Sequence, residues 1–351
     1  MKRIVIILCT VLVCLVSCNE VYRYTNKTFF AMNTVVNTII SSEIAQDNTR
    51  EILSDIEKRM SRTSEQSEIF RLNNRDKVTL SEDTLKVLES SLQIAKDTDY
   101  AFNPCMGTLT DLWDITSGRN VVPSQDEIEK ALSFCDTSLV EISDDTVKIP
   151  DGMKIDLGGV AKGYALQKAA EDLSQRAVSK FAPNDFCISL GGNVAVMGTS
   201  QSRKNSGEKG WSVGITNPFD KNETIGTVIL EHGYVSVSGA YERFFEKDGI
   251  IYHHIFDGKT GYPCDSDLAS AVVISDDGLE ADSLSTALFV MGKNRAVEFY
   301  RQGNYKFDMI LVDVDGSIYI SDGIYESFAI DEEFGIPEKN LINVGKQEVE
   351  V

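Results

Sequence analysis

The sequence Asp156-Leu157-Gly158-Gly159-Val160-Ala161-Lys162-Gly163-Tyr164-Ala165 lies where the pattern of the chain changes. It places an acid, two adjacent glycines and a lysine at the apparent start of a helix. Glycines let the backbone approach a ligand closely, and free N–H groups at a helix N-terminus attract anions. The run is not a Walker A motif, because Gly163 follows Lys162, and it is not a dinucleotide GxGxxG motif. It predicts either a site for a phosphate-bearing ligand or a tight turn whose glycines serve only packing.

Helical patterns precede this run. Apolar residues recur at helical spacing over residues 47–60 and 81–97. Ser124-Gln125-Asp126-Glu127 has the form of a capping box and predicts the start of another helix. One strand is predicted ahead of these helices, over residues 29–40.

Strand patterns follow the run. From about residue 186, short segments rich in β-branched and aromatic residues predict strands, and a predicted helix over residues 279–291 interrupts them. Asp315-Gly316 predicts a hairpin. Helices concentrated in the N-terminal half and strands in the C-terminal half favour an α+β fold with a mostly antiparallel sheet. The Asp156 run, between the two halves, would line a cleft between two lobes.

The N-terminus has the features of an export signal. Lys2 and Arg3 precede an apolar run over residues 4–16, which is the length of a signal-peptide core and too short to span a bilayer comfortably. Leu15-Val16-Ser17-Cys18 resembles a bacterial lipobox, which would lipidate Cys18; the alternative is an ordinary signal peptide with an incidental cysteine. We predict a signal peptide over 1–17, a tether over 18–28, a folded domain over 29–335 and a tail over 336–351. The mature protein is expected to be exported and membrane-anchored, facing the periplasm or the cell exterior.

Charge and cysteine usage exclude some partners. The formal net charge of -20 argues against binding to nucleic acid or to an anionic membrane surface. Cysteines 105, 135, 187 and 264 are far apart and form no CxxC pair, so a zinc site is not expected. We expect most of them to be free and buried.

Two later segments carry candidate chemistry. His253 and His254 would point to opposite faces of a strand, so they cannot share one metal ion, and at most one of them faces a site as a proton acceptor. Asp282 and Thr286 would lie one helical turn apart and offer hard oxygen ligands of the kind that Mg²⁺ accepts beside phosphate. The alternative is that Asp282 only complements the helix dipole and Thr286 lies on the surface.

Together these segments resemble the ApbE family of FAD:protein FMN transferases, whose fold is T-fold-like. The family pattern is found in order at residues 156–163, 191–193, 238–243, 253–263 and 281–287. Met32-Asn33-Thr34 is similar to the opening motif of the family, and the resemblance extends from about residue 29 to residue 335. Five ordered motifs make a chance match very improbable.

The resemblance implies a mechanism. FAD would place its pyrophosphate near Gly158, Gly159 and Lys162, and Mg²⁺ would be held by Asp282, Thr286 and the Ala161 carbonyl. A threonine hydroxyl of an exported redox-protein subunit would attack the FMN-side phosphorus and expel AMP. The catalytic residues would be Asp282 and His254, with His254 receiving the hydroxyl proton. The flavin and adenosine ends would contact a further group, namely Met32, Ala101, Phe102, Asn103, Asp156 and Ile255.

The chain departs from the family pattern at its predicted adenosine end. It has Asn103 where the family often has aspartate, and Arg62-Thr63 where some members have an aromatic residue. Two other functions use the same residues: hydrolysis of FAD to FMN and AMP, and flavin binding without catalysis.

Overall fold

The structure is a computed structural model that describes residues 24–40, 43–74, 77–176, 185–331 and 341–345. Its helices are α1 (Glu43–Met60), α2 (Glu68–Asn73), α3 (Glu82–Asp97), α4 (Gly107–Trp113), α5 (Gln125–Leu132), α6 (Ala161–Arg176), α7 (Gln201–Asn205), α8 (Gly278–Gln302) and α9 (Asp322–Tyr325). Its strands up to α7 are β1 (Thr25–Ala31), β2 (Thr34–Ile40), β3 (Lys77–Thr79), β4 (Glu141–Ser143), β5 (Thr146–Lys148), β6 (Phe186–Leu190) and β7 (Asn193–Met197). The later strands are β8 (Trp211–Thr216), β9 (Thr224–Leu230), β10 (His232–Gly239), β11 (Phe244–Lys247), β12 (Ile250–His253), β13 (Leu268–Ser275), β14 (Phe307–Asp313), β15 (Ile318–Ile320), β16 (Phe328–Ile330) and β17 (Leu341–Asn343).

One large sheet organises the fold. Its nine strands run in the order β1-β2-β6-β7-β10-β13-β14-β15-β17, and every neighbouring pair is antiparallel except β15 and β17. Three smaller sheets contain β11-β12, β16-β9-β8 and β3-β5-β4. The expected α+β class with a mostly antiparallel sheet is therefore confirmed.

The central strands of the large sheet are buried on both faces. In β13, Ala271 and Val273 join the core beneath α1, α6 and α8, whereas Val272 and Ile274 pack toward the β8-β9-β16 sheet. Alternate side chains of a strand point to opposite faces, so a strand covered on both sides needs apolar residues at every position. This double burial fixes β10 and β13 under α8, and α8 carries Asp282 and Thr286.

The N-terminal segment differs from its expected form. The single strand predicted over 29–40 is wrong: β1 and β2 form a hairpin, and its turn residues Met32 and Asn33 have φ values of 52° and 59°. The Met32 amide donates to the Glu57 carboxylate over 2.9 Å, which holds the turn against α1. Because β1 begins at Thr25, part of the predicted tether belongs to the sheet.

Helices and strands are also less strictly divided between the two halves of the chain than expected. β1 and β2 join the same sheet as the C-terminal strands, and the long helices α6 and α8 come after the predicted boundary. β17, inside the predicted tail, pairs with β15 at the far edge of the sheet. Pairing between remote strands leaves no local signal in the sequence, so the entry of β1, β2 and β17 into this sheet was not predicted.

Several local predictions are confirmed. The capping box at Ser124 is formed, with the Glu127 amide donating to the Ser124 hydroxyl. α8 has a non-helical residue at Gly292, next to the predicted helix end, and then continues to Gln302. Cys105, Cys135 and Cys264 are free and buried, and Cys187 is free and half-buried.

The predicted signal peptide and Cys18 lie outside the described residues. Within the described ranges, each helix is either too short or too polar to traverse a bilayer.

Candidate active site

A cleft of about 370 Å³ opens between the N-terminal hairpin, α6, α8 and the segment that follows β12. The structure brings every predicted catalytic, nucleotide-contacting and metal-ligating residue to its walls, and their chemical roles stay predictions. These residues are Met32, Ala101, Phe102, Asn103, Asp156, Gly158, Gly159, Ala161, Lys162, His254, Ile255, Asp282 and Thr286. A cavity of this size lies within the range of ligand pockets.

The rear wall of the cleft is built by direct contact between two helix N-termini. A Cβ placed on Gly163 would lie 1.9 Å from the Gly278 carbonyl oxygen and 2.6 Å from the Asp282 Cβ. A Cβ on Gly278 would in turn lie 2.5 Å from the Gly163 carbonyl oxygen. Only glycine at both positions lets α6 and α8 approach this closely. The contact fixes the phosphate-side turn relative to the helix that carries Asp282.

Asp282 lies at the centre of a buried polar network. Its side chain is 4% exposed, and its Oδ2 accepts from the Gly163 amide over 2.9 Å. Its Oδ1 accepts from the Ser236 hydroxyl over 3.1 Å and lies 3.5 Å from Lys162 Nζ. A buried carboxylate needs such partners, since an isolated charge would be strongly penalised.

A chain of hydroxyl groups extends this network toward Thr286. Ser285 Oγ lies 3.3 Å from Ser236 Oγ and 2.9 Å from Ser238 Oγ, and Ser238 Oγ lies 3.2 Å from Thr286 Oγ1. A Cβ on Gly159 would lie 3.6 Å from Thr286 Oγ1, so the glycine turn faces this hydroxyl across the cleft. The predicted ligand set is therefore assembled in one place.

The donor set at this wall suits Mg²⁺. It combines one carboxylate, one hydroxyl and the backbone at Ala161, and Mg²⁺ prefers such hard oxygens together with substrate phosphates and water. No cluster of three or more histidine, cysteine, aspartate or glutamate side chains within the described residues could hold a metal ion. A metal site that a substrate phosphate completes fits this donor set.

The two histidines have separate environments, as predicted. His253 is buried, and its Nε2 lies 2.9 Å from the Cys264 carbonyl while its ring meets the edge of Phe289. His254 lines the cleft, and its Nδ1 lies 3.3 Å from the Arg243 carbonyl oxygen. A proton on Nδ1 satisfies that carbonyl and leaves Nε2 as an acceptor.

The protonation state of His254 favours an acceptor role. Burial and the positive charge of Arg243 lower the pKa of His254 from its ordinary value to about 3. The imidazole is therefore neutral near pH 7, and its Nε2 lone pair can accept a hydrogen bond.

The mouth of the cleft is held by ion pairs. Arg62 pairs with Asp111, and its Nε lies 3.2 Å from Asp156 Oδ2. Asp156 Oδ1 accepts from the Gly158 amide over 2.9 Å, so Arg62 supports the glycine turn through this carboxylate. Lys154 also pairs with Asp111.

Asn103 shows why an amide suits a position where the family often has aspartate. Its Nδ2 donates to the Cys135 carbonyl over 2.9 Å, and its Oδ1 accepts from the Cys105 amide over 2.8 Å. A carboxylate has no proton to donate to that carbonyl. The departure from the family pattern is therefore matched by the local hydrogen bonding.

Several cleft residues were given no role in the sequence analysis, namely Glu57, Arg62, Tyr100, Ser238, Glu242 and Arg243. Residues 238–243 were matched to the family pattern, so polar side chains at the end of β10 were a usable signal. Tyr100 has φ 59° after Asp99 with φ 50°, a backbone that no sequence motif indicates.

Comparison with known proteins identifies the family. The sequence model of the ApbE family matches residues 32–311. An FAD:protein FMN transferase of Klebsiella pneumoniae is 32% identical over 263 residues, which cover 73% of this chain and 78% of that protein. One of Treponema pallidum is 34% identical over 228 residues, covering 62% of this chain and 62% of that protein's length.

Solved structures show the same fold. The ApbE protein of Thermotoga maritima superposes with a TM-score of 0.76 at 33% identity, covering 86% of this chain and 98% of that one. The flavin transferase ApbE of Vibrio cholerae, 23% identical, shares the fold with a TM-score of 0.74 over 86% of this chain and 97% of that one. Because the family match covers well over half of the sequence and coincides with the cleft, this chain belongs to the ApbE family.

Proposed function

We propose that this chain is an Mg²⁺-dependent FAD:protein FMN transferase that moves FMN from FAD to a threonine hydroxyl of an exported redox-protein subunit. The observation that carries the proposal is the convergence of the Gly158-Gly159 turn, Asp282, Thr286 and His254 on one cleft. The similarity to the FAD:protein FMN transferases of K. pneumoniae and T. pallidum supports the same activity.

The residues of the cleft would have separate roles in this reaction. The N-terminus of α6 and Lys162 would bind the pyrophosphate of FAD, because backbone N–H groups and an ammonium complement its charge. Asp282, Thr286 and the Ala161 carbonyl would hold Mg²⁺, which when bound neutralises charge on the phosphates. The threonine oxygen forms a bond to the FMN-side phosphorus, the bridging P–O bond breaks, and AMP leaves with that oxygen. His254 Nε2 takes the hydroxyl proton.

We further propose that Cys18 carries a lipid that anchors the domain to a membrane, facing the periplasm or the cell exterior. The lipobox-like Leu15-Val16-Ser17-Cys18 after an apolar leader supports this location. Mass spectrometry of the mature N-terminus tests it: a diacylglyceryl group on Cys18 is expected, and cleavage at another bond without lipid would contradict it.

Mass spectrometry of an acceptor subunit tests the activity. Incubation with FAD and Mg²⁺ is expected to add one FMN to the acceptor and release AMP, and a chelator is expected to stop both. AMP and free FMN without labelled acceptor would instead establish hydrolysis, and unchanged bound FAD would establish a binding protein.

A matched pair of carboxylate variants tests the assignment of Asp282. Asp282→Ala is expected to abolish transfer, because it removes the only side-chain carboxylate of the predicted ligand set. Glu280→Ala, on the same helix but outside this cleft, is expected to retain transfer. Full activity of Asp282→Ala would refute the metal assignment.

A further inference from the structure

The β11–β12 hairpin exposes an unusual amount of apolar surface. Ile250 is 55% exposed near the turn, and Phe244 (46% exposed) and Ile251 (54% exposed) share one face of this two-stranded sheet. The opposite face is anchored, since the Tyr252 ring stacks between Phe245 and Trp113 with ring centroids 5.2 and 5.5 Å apart. The hairpin is therefore anchored through Tyr252 on one face, whereas Phe244 and Ile251 are exposed on the other, which we call the bare face, beside the buried His253.

The edges of this hairpin are also open. β11 and β12 pair only with each other among the described strands. The His254 amide donates to the Arg243 carbonyl over 3.1 Å, which makes Arg243–His254 a hydrogen-bonded pair and, by alternation, Phe244–His253 and Glu246–Ile251 non-hydrogen-bonded pairs. The backbone groups of Phe244, Glu246 and Ile251 therefore point outward, where another strand can pair with them.

The base of the β11–β12 hairpin lies at the cleft. Arg243 precedes β11 and His254 follows β12, and both line the cleft. Phe244 and Ile251 are diagonal neighbours on the bare face, about 7–8 Å apart by sheet geometry. An extended chain laid along an outer edge would run past these side chains and end beside His254.

We propose that this hairpin docks the acceptor protein, by adding an extended acceptor segment to its edge and presenting the threonine to His254. The proposal rests on the proposed transferase function, which requires a macromolecular second substrate. Main-chain pairing gives affinity for an extended segment, and alternate side chains give specificity. The acceptor segment would carry apolar residues at alternate positions beside its threonine, to cover Phe244 and Ile251. Continuity between the open edge and the cleft favours this occupant over a second copy of the chain or a membrane.

Three pairs of variants of the full chain test the proposal. Phe244→Ser with Ile251→Ser removes the bare apolar face, and Val314→Ser, 56% exposed and outside the cleft, is the matched control. Glu246→Pro removes one outward N–H while sparing the bonds between β11 and β12, and Glu246→Ala keeps that N–H. Ile251→Pro tests the other edge in the same way, with Ile251→Ser as its control.

The readouts separate docking from chemistry. The probe is an exported redox-protein subunit carrying a flavinylation threonine, with its Thr→Val variant as the blank. The double serine variant and one of the two proline variants are expected to lower kcat/KM for the acceptor at least tenfold, while the Kd for FAD stays unchanged. If wild type transfers FMN and all hairpin variants match their controls, only this inference fails. If wild type labels no acceptor, the proposed function fails and the docking role with it.

Discussion

The rear and the mouth of the cleft are built in different ways. At the rear, α6 and α8 touch backbone to backbone at Gly163 and Gly278, and Asp282 is buried beneath them. At the mouth, Arg62 and Asp111 form partly exposed ion pairs, and Met32 lies in a turn of left-handed residues. Backbone atoms in direct steric contact can hardly move relative to each other. Partly exposed ion pairs contribute little stability, because water competes for both partners. We therefore expect the rear of the cleft to be more rigid than its mouth.

The largest effect is expected from breaking the rear contact. Gly163→Ala would place a Cβ 1.9 Å from a backbone oxygen, so α6 and α8 must separate. We expect a loss of about 3 kcal/mol or more in unfolding free energy, or a loss of transfer activity of at least 100-fold if the fold survives. Denaturant unfolding and acceptor labelling measure the two outcomes.

Gly258→Ala is the matched control at the mouth. Its new Cβ would meet nothing closer than 3.7 Å, so both quantities are expected to stay near wild type. Equal tolerance of the two alanines would contradict the distinction between a rigid rear and an adaptable mouth.

An intermediate effect is expected from the mouth. Arg62→Ala removes the cation that supports Asp156 and, through it, the Gly158 amide. We expect the Kd for FAD to rise about three- to tenfold with kcat changed less than twofold, since a partly exposed pair contributes about 1 kcal/mol. Titration of flavin fluorescence measures the Kd. Arg176→Ala, which removes an exposed pair with Asp172, should leave both values unchanged; a large fall in kcat for Arg62→Ala would place Arg62 in the rigid part.

The smallest effect concerns a carboxylate behind the rear wall. Burial would raise the pKa of Asp83, but hydrogen bonds from Tyr164 and Arg59 outweigh it, so the pKa is lowered. A lowered folded-state pKa stabilises the protein above the unfolded-state value near 4, and this stability is lost as pH falls through the folded-state pKa. We expect Asp83→Asn to unfold about 1 kcal/mol more easily at pH 7, and the difference to shrink below about pH 4. Thermal unfolding across this pH range tests it, and a difference that does not change with pH would contradict the assignment.

The sequence was sufficient for the parts of the site that lie in contiguous motifs. The Gly158-Gly159 turn, His254 and the Asp282 and Thr286 spacing each depend on local geometry, and the structure brings them together as predicted. Local patterns also gave the positions of α3 and α5 and of most strands from β6 onward, within a few residues, but not those of β11, β16 and β17.

The rest depends on contacts that local patterns do not encode. The turn at Met32 was missed because Met is an unusual residue at positive φ and no Gly or Pro marks the break. The pairing of β2 with β6 joins residues about 150 positions apart, so nothing near either strand indicates it. The ion pairs of Arg62 were not predicted because its partners, Asp111 and Asp156, come from distant segments.

Lys162 has a consequence for the order in which ligands enter. In the described structure its ammonium lies 3.5 Å from the Asp282 carboxylate, so it already compensates the negative charge that would attract a divalent cation. A cation arriving alone must compete with Lys162, whereas the pyrophosphate of FAD offers that lysine another partner. We therefore expect Mg²⁺ and FAD to bind with positive cooperativity, each raising the affinity for the other by the same factor. We expect this site to bind free Mg²⁺ only weakly until FAD is bound.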